Sequence, residues 1–201
     1  MQTHSQHGED LAIHALLEGD YAPYMVDVGA NDGFSWSNSY AFIKQGFAAL
    51  LIEPMQQYAE YCRVLHQGNP KVSVEQVAIL PTLGKTRFFI NNDKARDLLA
   101  MASSVRREII DSSDVTEVEV QTCPLTFLLE KYRVPENYAI LNVDAEGVDL
   151  EVLQSSGLSQ YRPAIICVEY GTNELNIHNY LSGCDYLFRT KLGPNGIYSR
   201  C

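Results

Sequence analysis

An apolar run that breaks into a glycine turn, Tyr24-Met25-Val26-Asp27-Val28-Gly29-Ala30-Asn31-Asp32-Gly33, limits what this chain can become. Gly29 and Gly33 lack a Cβ and can take positive φ, so the main chain can turn sharply and bring its N–H groups near a polar ligand. A second apolar strand, Ala49-Leu50-Leu51-Ile52-Glu53-Pro54, ends in an acid. Glu53 follows Gly29 by 24 positions, close to the ~20 that separate a Rossmann glycine turn from the carboxylate that takes ribose hydroxyls. The pair reads as an adenosine site.

Between these strands, Ser35-Trp36-Ser37-Asn38 offers side-chain oxygens to open a helix over 38–45, and Gly46 stops it. Residues 8–18 form an earlier short helix, part of a helical cap over 1–23. A helix over 55–67 and an alternating strand over 72–79 follow, so two βαβ units stand in sequence and imply a parallel sheet. Strands at 84–90 and 116–121 then flank a long polar excursion through Ala102-Ser103-Ser104-Val105. Its length marks 84–122 as a functional segment on the substrate side, with Ser103 and Ser104 as polar contacts. A helix over 124–133, a strand over 138–144, a helix over 148–156, a strand over 163–169 and a helix near 174–182 follow. A hairpin turning at Gly193-Pro194-Asn195-Gly196 closes the chain.

The whole reads as a single α/β domain over 1–201, a length that suits one unit of about 100–200 residues, with 46% hydrophobic residues to fill its core. Fifteen Lys and Arg against 25 Asp and Glu leave a net charge of −10. That charge repels phosphate backbones and anionic lipid surfaces, and no basic cluster offsets it, so neither nucleic acid nor membrane is an expected partner. The five cysteines, at 62, 123, 167, 184 and 201, show no C-x-x-C spacing and read as reduced thiols, with Cys167 inside an apolar run. The N-terminus has no basic-then-apolar signal pattern, and no apolar run reaches the ~18 residues of a bilayer span, so a soluble, cytoplasmic chain is expected. Oligomeric state is left open.

Acids gather where ligands bind in such a sheet, at the carboxyl ends of the strands: Asp27, Glu53, Asp144 and Glu169. Asp144 and Glu146 are two apart, so an extended backbone aims both the same way. Two readings stand. These groups form a pocket for an adenosine and a sulfonium, with a carboxylate placed for proton transfer, or they cap helix N-termini whose dipole favours negative charge. The turn lacks G-x-G-x-x-G, and Asp32 sits where a dinucleotide pyrophosphate needs bare backbone donors. A positively charged cofactor without phosphate fits better. His7 is a secondary candidate for a general base. Asp144, Glu146 and Glu169 have the oxygen chemistry to hold Mg²⁺, but capping and cofactor binding are their expected uses and no metal is assigned.

These residues carry a resemblance. Ser5-Gln6-His7-Gly8-Glu9-Asp10, Val26-Asp27-Val28-Gly29-Ala30-Asn31-Asp32-Gly33, Ile52-Glu53-Pro54, Asn142-Val143-Asp144-Ala145-Glu146-Gly147 and the strand over 163–169 together resemble the FkbM-type S-adenosylmethionine-dependent methyltransferases. The resemblance implies a three-layer, Rossmann-like class I methyltransferase fold, a mostly parallel seven-stranded sheet ending in an antiparallel hairpin. It implies S-adenosylmethionine as cofactor and O-methylation of a small-molecule or saccharide acceptor. Asp27, Gly29, Asn31 and Gly33 would surround the methionine part, Glu53 would take the ribose hydroxyls, and Pro54 with Val77 and Ala78 would border the adenine. Asp144 would face the cofactor amino group or the acceptor, with Glu146 beside it and Glu169 as a further catalytic candidate. Asp149 departs from the pattern, standing where a glutamate is common. A nicotinamide-dependent oxidoreductase and a non-catalytic nucleotide-binding domain are the rival readings.

Overall fold

Residues 2–92 and 103–201 are described by a computed structural model. The first strand, β1 (Ala22–Val28), pairs in parallel with β2 (Ala48–Ile52), which pairs in parallel with β3 (Val72–Glu75). On its other side β1 pairs in parallel with β7 (Tyr138–Val143), and β7 with β8 (Ile165–Glu169). The hairpin β9 (Tyr186–Leu192) and β10 (Asn195–Arg200) completes a seven-stranded sheet of order β3-β2-β1-β7-β8-β10-β9. Because β10 pairs antiparallel with both β8 and β9, it runs against the other six strands. The chain builds outward from β1 to β3 and then returns to lay β7 on the opposite side of β1. That reversal opens a crevice between the carboxyl ends of β1 and β7.

Helices cover both faces, which is why β7 can be apolar and buried at nearly every position. On one face α4 (Leu125–Lys131), α5 (Asp149–Ser155) and α6 (Glu174–Gly183) set Leu128, Leu153 and Ile177 against Val26, Leu141 and Ile166. On the other, α1 (Glu9–Leu16) and α2 (Tyr40–Lys44) set Ile13 and Phe42 against Met25, Ile140 and Cys167, while α3 (Gln56–Leu65) packs Cys62 against Leu51. The three layers and the closing hairpin are those the sequence implied. Ser37 opens α2 as its polar sequence suggested: its Oγ accepts from the N–H groups of Ser39 (3.2 Å) and Tyr40 (3.0 Å).

One strand departs from the sequence reading. Residues 72–79 alternate as though continuous, but β3 ends at Glu75, and Ala78–Ile79 forms β4 in a separate three-stranded sheet with β6 (Val115–Cys123) and β5 (Gly84–Asn91). The Lys131 ammonium and the Tyr132 hydroxyl both donate to the Glu75 carboxylate, while Ala78 and Ile79 find partners in Thr122 and Cys123. The small sheet leans on the crevice through Phe88 and Val120, packed with Ala78, Met55 and Val105. Part of the 84–122 excursion, residues 93–102, lies outside the described residues. Among the described residues no helix is long and apolar enough to cross a membrane, and all five cysteines are free thiols, with Cys167 buried.

Candidate active site

Two turns frame the crevice. In the first, the N–H groups of Gly29 and Ala30 donate to the Ile52 carbonyl, and φ is positive at Gly29, Asn31 and Gly33. A Cβ at Gly29 would lie 1.8 Å from the Asp144 carbonyl oxygen, so glycine is required there by the close approach of β1 and β7. The Glu53 carboxylate fastens this turn, accepting from the N–H of Asn31 (3.0 Å) and of Met55 (2.8 Å). Burial pushes the Glu53 carboxyl up to about 7; the two backbone donors oppose that shift, and the nearby Asp27 charge adds to it.

The second turn, 144–147, leaves β7. Its fastener is Asp149, the first residue of α5, which accepts from the N–H of Ala145 (2.7 Å) and of Gly147 (3.1 Å). Burial raises the Asp149 carboxyl to about 6 against those donors. Ser104 donates to the Glu146 carbonyl at 2.6 Å from the far side. Glu146 is held at φ 48°, in the left-handed region that a side chain with a Cβ rarely adopts, a form of strain that gathers at functional sites. Trp36, on the opposite rim, has φ 52°.

The cleft so framed is lined by Asp27, Gly29, Asn31, Glu53, Pro54, Ala78, Asp144 and Glu146 among the residues expected there. Apolar walls come from Val77, Ile79, Met55 and Phe88, and the rim from Gln6, Trp36, Tyr58, Ser103 and Val105. Gly33 lies outside the lining and packs toward Cys62, where a Cβ would come within 3.0 Å of its sulfur. Asp32 is also outside: its carboxylate accepts from the N–H groups of Phe34 and Ser35, each at 2.8 Å, and from the Ser35 hydroxyl. The sequence argument that Asp32 repels a pyrophosphate therefore fails as stated. Its place is taken by the cleft itself, whose described lining holds four carboxylates and no lysine, arginine or histidine.

His7 packs against the hairpin turn at Gly193, away from the cleft lining. Glu169 stands behind Asp144 rather than in the lining. The carboxylates of Asp144, Asp149 and Glu169 offer oxygens within 4.8 Å of one another. Burial, then the negative charges of Glu169, Glu146, Asp149 and Asp27, hold the Asp144 carboxyl well above the usual carboxylate range. Glu169 rises to about 7 for the same reasons, burial first, with its hydrogen bond to Asp144 opposing. Two carboxyls so close, both raised and one of them to about 7, can share and exchange a proton. Ser103 accepts from the Asn91 N–H at 3.1 Å, so the serine pair expected to meet an acceptor also ties the small sheet to the second turn.

Gln6, Trp36, Asn38, Tyr58, Phe88 and Asn142 line the cleft without having been assigned to it from sequence. Asn142 was the readable one: it stands penultimate in an otherwise apolar buried strand, in register with Asp27 on β1. Its Nδ2 donates to Asp27 Oδ1 at 2.8 Å.

A family model described as the methyltransferase FkbM domain matches residues 27–188. The chain belongs to the FkbM methyltransferase family. No curated protein matches it. Among solved structures it is similar to a precorrin-6y C5,15-methyltransferase from Geobacter metallireducens GS-15 at 10% identity and a TM-score of 0.50, covering 96% of this chain and 86% of that one. It is also similar to a methyltransferase from Geobacter sulfurreducens at 11% identity and a TM-score of 0.52, covering 98% and 80%. At such identities the likeness is one of fold. Family and fold together make this a methyltransferase and imply S-adenosylmethionine. The cleft fits that cofactor: its acids suit a sulfonium and an ammonium, its apolar walls suit an adenine, and among the described residues it offers no cationic side chain for a phosphate.

Proposed function

We propose that the protein transfers the methyl group of S-adenosylmethionine to a hydroxyl oxygen of a small molecule or sugar. The observation that carries this reading is the cluster of carboxyls from Asp144, Asp149 and Glu169, with oxygens within 4.8 Å of one another and held above the usual carboxylate range, beside a cleft whose described lining is anionic. An alcohol acceptor needs a group to take its proton as charge develops on oxygen, and a carboxyl poised near neutral pH suits that task.

When bound, the cofactor supplies an electrophilic methyl on a sulfonium, open to in-line displacement. The protein's share is placement, water exclusion and proton management. Glu53 has lone pairs to spare beyond its two backbone donors and would take the ribose hydroxyls, while Pro54, Ala78 and Ile79 flank the base. Phe88, Val105 and Val148 wall the cleft against water. Asp144 would anchor the methionine end, and Glu146, fixed on its strained turn, would orient or deprotonate the acceptor hydroxyl. Glu169 would receive the proton through Asp144.

A screen of sugar and metabolite alcohols with labelled S-adenosylmethionine tests the reaction. With an acceptor in hand, Asp144→Asn is expected mainly to raise the cofactor dissociation constant, and Glu146→Gln to lower the turnover number at saturating substrates. Normal turnover in Glu146→Gln removes it from the chemistry. Calorimetric titration with S-adenosylhomocysteine and NAD separates the two rival readings: tight NAD binding would favour an oxidoreductase, and S-adenosylhomocysteine binding without turnover on any acceptor a binding domain.

A further inference from the structure

At the floor of the cleft a hydrogen-bonded chain of three side chains has a fixed direction. Asp27 lies 2% exposed on β1, and among the described residues no lysine, arginine or histidine pairs with it. Asn142 Nδ2 donates to Asp27 Oδ1 at 2.8 Å, so the Asn142 amide must turn its Oδ1 the other way. Asn38 meets that oxygen with its own Nδ2 at 3.0 Å. The Asn38 amide is thereby oriented in turn, and its Oδ1 is left as the free end of the chain. That oxygen is buried, belongs to a residue lining the cleft, and has no hydrogen-bond donor among the described residues. A buried acceptor without a partner carries a cost that a ligand donor would remove.

The far end of the chain decides what kind of donor. Two aligned amide dipoles connect Asn38 Oδ1 to a buried carboxylate without a counter-ion, so each polarises the next and the free oxygen carries more negative potential than an isolated amide. A cation that donates hydrogen bonds complements it better than a neutral hydroxyl does. Asp27 and Asn142 stand on β1 and β7, and Asn38 reaches Asn142 and approaches Cys167 on β8, whereas Pro54 follows β2 on the other side of β1.

We infer that Asn38 is a binding residue for the α-ammonium at the amino-acid end of the cofactor, with Asn142 and Asp27 as positioning residues that orient and charge its oxygen. The inference rests on the proposed cofactor occupying this cleft. Two ligands separate its parts: S-adenosylhomocysteine carries the ammonium, and 5′-methylthioadenosine keeps the nucleoside and thioether without it. In calorimetric titrations, Asn38→Ala is expected to weaken S-adenosylhomocysteine roughly ten- to hundredfold and to leave methylthioadenosine binding unchanged. Asp27→Asn preserves an acceptor for Asn142 while removing the charge. It is expected to weaken S-adenosylhomocysteine selectively as well, and it carries the test if Asn38→Ala fails to fold. Unchanged S-adenosylhomocysteine binding in the folded variants, or equal weakening of both ligands, overturns the inference alone. A wild-type chain that binds neither ligand overturns the cofactor reading and this inference with it.

Discussion

The two turns that frame the cleft solve one problem in two ways. Each leaves a central parallel strand, each passes through left-handed residues, and each is fastened by a carboxylate that accepts two backbone N–H groups. The difference is where the fastener comes from. Glu53 reaches across from the neighbouring strand and itself lines the cleft, whereas Asp149 comes from the helix that the turn leads into and is not part of the lining. In the first turn the structural acid is also available to a ligand. In the second, holding the turn is delegated to Asp149, and Asp144 and Glu146 are left to face the cleft.

The comparison breaks most easily at the glycines. Gly29→Ala drives a Cβ into the Asp144 backbone, which cannot yield without parting β1 from β7, and a loss of roughly 3 kcal/mol or more is expected. Gly147→Ala meets only the end of the Ile109 side chain, at 3.0 Å, and adds the strain of φ 91°. About 1 kcal/mol is expected there. Denaturant unfolding of the two variants measures both, and equal losses would mean that the strand contact at Gly29 is not the rigid point of the site.

The acids sharpen it further. Glu53→Ala is expected to weaken S-adenosylhomocysteine by roughly 1–3 kcal/mol as well as loosening its turn. Asp149→Ala is expected to cost a similar ~1–3 kcal/mol of stability and to lower turnover through Glu146, with cofactor binding close to normal. Cofactor affinity that falls equally in both would erase the distinction between a fastener that also binds and one that only holds.

Much of this was legible in the chain. The Gly29 turn, the acid ending β2 and the Asp144-Ala145-Glu146-Gly147 turn follow from local periodicity and turn chemistry, and strands buried on both faces announce themselves as apolar runs. What escaped was set by distant partners. The alternation over 72–79 runs unbroken across the point where the chain changes sheets, because the change depends on Thr122 and Cys123 taking up Ala78 and Ile79. Gly33 read as a ligand contact and Asp32 as an obstacle to a pyrophosphate, yet Cys62 and the Ser35 backbone claim them. Asn38 gave no local signal, since its orientation is inherited from Asp27 through Asn142 on a third segment.

The smallest expected effect is a pH dependence, and it runs in opposite directions for folding and for binding. A carboxyl whose folded pKa is raised holds its proton more tightly in the native chain than in the unfolded one. Glu53 therefore contributes stability that is fully present below its ordinary value of 4.5 and is lost as pH rises to about 7. Asp149 behaves likewise between 3.8 and about 6. A cationic cofactor prefers these groups ionised, so its binding releases protons and tightens as the cleft acids ionise. Unfolding midpoints should fall between about pH 4 and pH 7, and affinity for S-adenosylmethionine should rise between about pH 5.5 and pH 8. Glu53→Gln should make the affinity profile shallower without flattening it, because Glu169 still titrates near 7, while Asp149→Asn should leave it as steep as in the wild type. An affinity profile that flattens in Asp149→Asn and not in Glu53→Gln would reverse the roles of the two fasteners and place the ligand-facing acid on the second turn.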